Sequence, residues 1–278
     1  MKIKHRICFR EDMQPEFVNY LRLNRIPYKS GEIISVLEIY ENSPHWEDIS
    51  MYVRNGNMSC RPETEFSKDE LNSAEWLCMR SKWRFGYPQP EGKYAYETIT
   101  YTRENYCQNC GSGLTQVDSF RMKKAPKWGS RNFMELNWIG DELFLSEKAK
   151  LILQESGITG ISFRDVKKTN GREIHEGIEQ LVISTTLEKG LVDTAPSIRQ
   201  VTPCAECGIT KYAGSGVGML AFKKDIFVNV PDVVKSFEIF GFGHYASRVI
   251  IVNHKVYDTI INNKLDRNLD FAPIKLVV

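Results

Sequence analysis

The chain has no apolar run long enough to cross a bilayer; Val249 to Val252 is a strand-sized run. Its opening residues, Met1-Lys2-Ile3-Lys4-His5-Arg6-Ile7-Cys8, are basic, but no apolar core and small-residue cleavage site of a secretory signal follow them. The expectation is a cytoplasmic protein with no membrane insertion. Net charge is also missing: 37 Lys plus Arg stand against 35 Asp plus Glu. The chain as a whole therefore attracts nucleic acid and acidic lipid weakly, and nucleic acid is not the expected partner. The five histidines, His5, His45, His175, His244 and His254, form no close pair. Glu173-Ile174-His175-Glu176 consequently lacks the two helix-spaced histidines of a zincin site. Gly214-Ser215-Gly216-Val217-Gly218 has no Lys-Ser or Lys-Thr completion, so it reads as a flexible turn rather than a phosphate cradle. No set of catalytic residues assembles from the sequence, and the chain is not expected to be an enzyme.

What is present is a globular composition, 42% hydrophobic and 26% charged over 278 residues, enough for one large or two ordinary domains. Seven cysteines, an odd number with four in two close pairs, suit a reducing compartment and metal ligation better than a disulfide framework. The pairs are Cys107-Gln108-Asn109-Cys110-Gly111 and Cys204-Ala205-Glu206-Cys207-Gly208. A two-residue spacing lets one tight turn aim both sulfurs at a single ion, and the following Gly tolerates the backbone such turns need. Facing each other, the two turns supply one structural four-cysteine site for a single Zn2+ with ligands Cys107, Cys110, Cys204 and Cys207. Separate redox pairs and an iron–sulfur centre are the weaker alternatives at this point. Cys8, Cys60 and Cys78 read as buried small hydrophobes.

The expected fold class is α+β: a mixed N-terminal region over residues 1–105, then residues 106–278 as two related strand–helix–strand modules joined by a shared zinc-ribbon-like site. In the first region, Pro15 to Asn24 reads as a helix with Phe17, Val18 and Leu21 inward, and Glu32 to Tyr40 as a strand. Ser67 and Glu70 have capping-box spacing, while Trp76, Cys78, Trp83 and Phe85 also suit an extended segment. Tyr94 to Tyr101 alternates like a strand. In the second region, Leu143-Phe144-Leu145-Ser146 and Ile250-Ile251-Val252-Asn253 each enter a helical pattern, with Ser146 and Asn253 at equivalent capping positions. Phe133 and Trp138 correspond in spacing to Phe240 and Tyr245. One inserted residue near Arg267 aligns Phe163 with Phe271. Arg121, Lys123, Lys124, Lys127 and Arg131 read as solvated loop, and Trp128, Phe133, Trp138 and Phe144 as core rather than a base-stacking platform.

The two cysteine motifs, the segment Leu143-Phe144-Leu145-Ser146-Glu147-Lys148 and the turn Gly157-Ile158-Thr159-Gly160-Ile161 together resemble the bacterial double-CXXCG motif family. The resemblance covers about residues 100–278. The second half departs from it, with Asn253-His254-Lys255 in place of Ser146-Glu147-Lys148 and no equally clear Gly-x-x-Gly turn. Some members of that family are associated with immunity to polymorphic or contact-dependent toxins. The resemblance therefore implies an antitoxin-like immunity protein whose partner is a cognate protein toxin, with a zinc-ribbon nucleic-acid-binding or regulatory protein as the alternative. No toxin-contacting residue carries over.

Overall fold

Strand Lys2–Phe9 turns His5, Ile7 and Phe9 to one face and pairs antiparallel with Ser35–Tyr40 on one side and Ser59–Glu65 on the other. The computed structural model describes residues 1–278. Helices Pro15–Leu23 and Trp46–Asn55 cover that face, and Phe17, Val18, Leu21 and Ile49 join Ile7, Phe9, Leu37 and Ile39 in one apolar cluster. Each such side chain contributes about 1.5–3 kcal/mol on burial. The expected helix at Pro15 and its inner face are observed. The expected strand begins later, at Ser35, and Ile33 and Ile34 are exposed.

The apolar cluster ends with this unit, so the first 66 residues have their own core. Ser67 then caps the short helix Lys68–Asn72 with both capping-box bonds to Glu70 present, and the chain extends into strand Trp76–Ser81. That strand is not part of an N-terminal region. It is an inner strand of a six-stranded mixed sheet whose order is Ile198–Pro203, Thr210–Gly214, Val233–Phe240, Ser247–Asn253, Trp76–Ser81, Leu269–Pro273. A division at residue 105 therefore falls inside the second body. Residues Tyr96–Thr100, expected as strand, form a helical turn, with Tyr96 and Thr100 buried four apart on one side. Alternating aromatics do not fix a period of two when the inward residues recur at four.

A second mixed sheet runs Arg121–Met122, Ile161–Lys168, Ile174–Ile183, Leu143–Ser146, Phe133–Met134. Each sheet contains a split strand–helix–strand unit. Leu143–Ser146 and Ile161–Lys168, joined by helix Glu147–Glu155, flank the antiparallel strand Ile174–Ile183. Ser247–Asn253 and Leu269–Pro273, joined by helix His254–Asn262, flank Trp76–Ser81 in the same way.

The helix starts match. Ser146 Oγ accepts from the Ala149 amide and Asn253 Oδ1 from the Val256 amide, each satisfying an orphan N–H of the first turn. Each cap also has a partner immediately before the adjacent strand: Ser146 Oγ donates to Asn132 Oδ1 at 3.0 Å, and Asn253 Nδ2 donates to Asp232 Oδ1 at 2.7 Å. Phe133 lies opposite Leu145 and Val233 opposite Val252, so the structural counterpart of Phe133 is Val233, not Phe240.

The helix ends match as well. Gly157 and Gly160 have φ of 60° and 85°, and Lys264 and Asn268 repeat those backbone conformations at 55° and 67°. The second unit thus contains the turn that seemed missing, hidden because non-glycine residues adopt it. The two helices meet over a shared core in which Leu143, Leu145, Ala149, Leu153 and Leu181 pack with Ile250, Val252, Val256, Ile260 and Met79.

Several polar links join the sheets, among them the Ser81 amide and hydroxyl to Glu135 and the Phe133 carbonyl. The turn after the first helix reaches across, with the Thr159 amide and hydroxyl both bonded to Asp232 Oδ2 at 2.8 and 2.9 Å. Lys235 Nζ meets Glu142 Oε1 at 2.5 Å, and Gln180 Nε2 donates to Glu142 Oε2. The Gly214–Gly218 stretch is pinned rather than flexible: the Thr64 hydroxyl donates to the Gly216 carbonyl and accepts from the Gly218 amide, docking it on the N-terminal unit.

Candidate metal centre

Each cysteine pair sits at the tip of a small antiparallel hairpin. Tyr101–Thr102 pairs with Thr115–Gln116 around the first, and Ile198–Pro203 with Thr210–Gly214 around the second. The two tips have the same hydrogen bonds. The Gly111 amide donates to the Cys107 carbonyl and the Gly208 amide to the Cys204 carbonyl, at 2.8 and 3.0 Å. The Cys107 amide donates to Ser112 O and the Cys204 amide to Ile209 O, both at 2.9 Å. Gly111 and Gly208 have φ of 75° and 72°, which explains the shared glycine. At Gly111 a side chain would also collide with the His244 carbonyl.

The fold brings all four sulfurs within 4.8 Å of one another. Across the tips, Cys107 Sγ lies 3.7 Å from Cys204 Sγ, and Cys110 Sγ lies 3.6 Å from Cys207 Sγ. A disulfide requires about 2.05 Å, so these are separate thiols. Four sulfurs around one ion at about 2.3 Å define edges of about 3.8 Å, close to both cross-tip distances. The donor set thus fits a closed tetrahedral metal site. Cys107, Cys110 and Cys204 are buried, and Cys207 faces solvent.

Polar groups around the sulfurs favour thiolate at Cys204 and Cys110, whereas at Cys107 the lowering by the Cys110 amide is outweighed by burial and by the Cys110 and Cys207 thiols, and its thiol is raised. The Cys207 amide, followed by the Glu206 amide, lowers the Cys204 thiol to about 6, with the Asn109 side-chain amide 3.4 Å from its sulfur. Ser112 Oγ lies 2.8 Å from Cys110 Sγ. Lys211 is only 6% exposed, and its ammonium donates to the carbonyls of Cys110, Gly243 and Tyr245 without meeting a carboxylate. A buried ammonium held only by carbonyls is stabilised by a nearby negative charge, and the four cysteines, as thiolates around a divalent ion with net charge −2, would supply it beside Cys110.

Sequence reasoning found the four sulfurs but missed Lys211, Asn109 and Ser112. The available signal for Lys211 was a lone charge beside Tyr212 and Ala213 in a short strand after the second motif. Glu173, His175 and Glu176 do not converge on a site: His175 Nε2 lies against the Met122 carbonyl and Glu173 pairs with Lys168. No helix is long and apolar enough to cross a membrane. In comparisons with known proteins, no family model matches the chain and no curated protein matches it.

Proposed function

We propose that the chain is a zinc-stapled binding protein of the immunity class, which neutralises a cognate protein toxin by occupying its surface, and that it is not an enzyme. Its two strand–helix–strand units are read as copies of one module, and the single Zn2+ held by Cys107, Cys110, Cys204 and Cys207 has a structural role. The observation that carries this reading is the origin of the ligands: a hairpin ahead of each module supplies half of the donor set, so a bound ion would tie the two hairpin tips together. Such a closed set leaves no open coordination position for substrate, which suits a scaffold. The toxin assignment comes from the resemblance of the cysteine and Gly-Ile-Thr-Gly segments to the double-CXXCG family.

The test is coexpression of the chain with the proteins encoded beside its gene, scored by stoichiometric co-purification and rescue of growth. A complex with a toxic neighbour together with rescue supports the reading. A folded, zinc-loaded chain that neither binds nor rescues overturns it.

A further inference from the structure

Whole-chain charge conceals a strong local asymmetry. Residues 82–95 and 121–131 contain eight Lys and Arg against one acid, Glu91, so the rest of a chain of net charge +2 is net negative. The fold brings these two segments together with residues 135–138. The Gln89 amide donates to the Arg121 carbonyl, the Phe85 amide to the Glu135 carbonyl and the Asn137 amide to the Gly86 carbonyl. Of the eight, Lys82, Arg84 and Arg121 pair with Asp270, Glu135 and Asp118, while Lys93, Lys123, Lys124 and Lys127 are exposed and form no ion pair, and the Arg131 guanidinium lies 3.9 Å over the Trp83 ring.

Aromatic rings are interleaved with these cations. Trp138, expected in the core, is 38% exposed, beside Tyr87 at 39% and Tyr94 at 54%. Tyr96 lies nearly parallel to Trp138, at 21° with centroids 6.1 Å apart. Tyr87 and Tyr94 approach to 4.6 and 4.8 Å between centroids and incline to the indole by 54° and 58°. The result is a partly exposed aromatic cup gathered around Trp138. Its backbone is held against preference: Trp138, Lys93 and Tyr94 all have φ between 52° and 72°, a region bulky residues rarely adopt. Trp83 and Trp128, 5.5 Å apart edge to face, continue the strip toward Arg131.

We propose that this strip binds single-stranded nucleic acid, with an unpaired base stacking in the Trp138–Tyr87–Tyr94 cup and the surrounding lysines meeting phosphates. Partly exposed aromatic rings beside unpaired cations match a polyanion that carries planar groups. A cationic ligand for the cup is disfavoured by the neighbouring lysines, and duplex DNA keeps its bases stacked away from the rings. The proposal is independent of the toxin reading and of the sulfur cluster.

The test is fluorescence anisotropy of the full, zinc-loaded chain with fluorescein-labelled single strands of about 20 nucleotides, one DNA and one RNA, and a duplex of the same sequence. Saturable binding of at least one single strand is expected, stronger than duplex binding and weakening linearly in log–log salt plots. The Lys123→Glu/Lys127→Glu double variant flattens that slope. Tyr94→Ala and Trp138→Phe each weaken binding, Tyr94→Ala by about fivefold or more, without changing the circular dichroism spectrum. Absence of binding by both single strands at low salt overturns the proposal and turns attention to an acidic protein partner. Binding that ignores both aromatic variants, or prefers duplex, overturns it equally, because phosphate contact alone then accounts for the affinity.

Discussion

Met79 and Leu181 occupy the same station in two different sheets. Leu181 lies between Leu143 and Phe163, and Met79 lies between Ile250 and Phe271, the counterparts of those two residues. In the first unit the central strand follows the strand–helix–strand segment along the chain. In the second it precedes that segment, before the first unit has begun. The two units therefore have the same arrangement in space with a circularly permuted order of strands.

This placement makes a stability prediction. Both side chains are buried in the core shared by the two helices, so Met79→Ala and Leu181→Ala should each cost about 2–5 kcal/mol through lost transfer energy and a residual cavity. Urea denaturation followed by circular dichroism measures both. A cost below about 0.5 kcal/mol for Met79→Ala, typical of an exposed site, would contradict its place in this core.

The asymmetry also shows how far the sequence could be read. The cysteine turns, the caps at Ser146 and Asn253 and the helical stripes were legible because each is a local pattern of a few residues. Trp76–Ser81 was not, since nothing in a six-residue apolar strand names a partner such as Ser247–Asn253, far along the chain. Lys264 and Asn268 concealed a turn because their side chains do not advertise a positive φ as glycine does. The basic run from Arg121 to Arg131 read as solvated loop because nothing in the sequence places residues 82–95 beside it, and Trp138 looked like core because an aromatic residue gives no local sign of exposure.

Metal removal should loosen the link between the hairpin tips. With free zinc at a hundred to a thousand times its dissociation constant, binding to the folded state adds about 3–4 kcal/mol. Chelation should lower the thermal midpoint, and zinc should restore it. Cys204→Ser should abolish one-to-one zinc in elemental analysis and lose most of the chelator response. A variant that keeps full zinc occupancy and wild-type stability would count against Cys204 as a ligand.

Asp232 predicts a pH dependence with a defined sign. Burial opposes its charge, but the Thr159 amide and hydroxyl, Asn253 and Lys255 together hold its carboxyl below the usual Asp range. A carboxyl depressed on folding stabilises the protein above its unfolded pKa of about 3.9, and that contribution is lost as pH falls through the lower folded value. Asp232→Asn should therefore be less stable than wild type at pH 6–7, by on the order of 1–3 kcal/mol for lost charge-assisted bonds. The gap should begin to narrow below about pH 4, where the unfolded carboxyl takes up its proton, and close as pH falls through the lower folded value. Urea titrations across this range measure it, and a gap independent of pH would remove the ionised carboxylate from the explanation.

The turns at Gly157 and Lys264 should respond with opposite signs to substitution. Gly157 adopts φ of 60° just past its helix, and a Cβ there would meet open space, so Gly157→Ala tests backbone conformation alone. It should destabilise by about 1 kcal/mol. Gly160→Ala should cost more, because its Cβ would also strike the Val233 carbonyl oxygen and the Pro231 ring. Lys264 has the corresponding conformation at 55° with a side chain that disfavours it, although its amide still donates to the Ile261 carbonyl. Lys264→Gly should consequently stabilise the chain by about 0.5–1 kcal/mol, since relief of the left-handed backbone outweighs the greater freedom glycine gives the unfolded chain. Thermal denaturation of the three variants beside wild type settles the signs. If Lys264→Gly destabilised as Gly157→Ala does, the two turns would not be energetic equivalents, and the match between the helix ends would be geometric only.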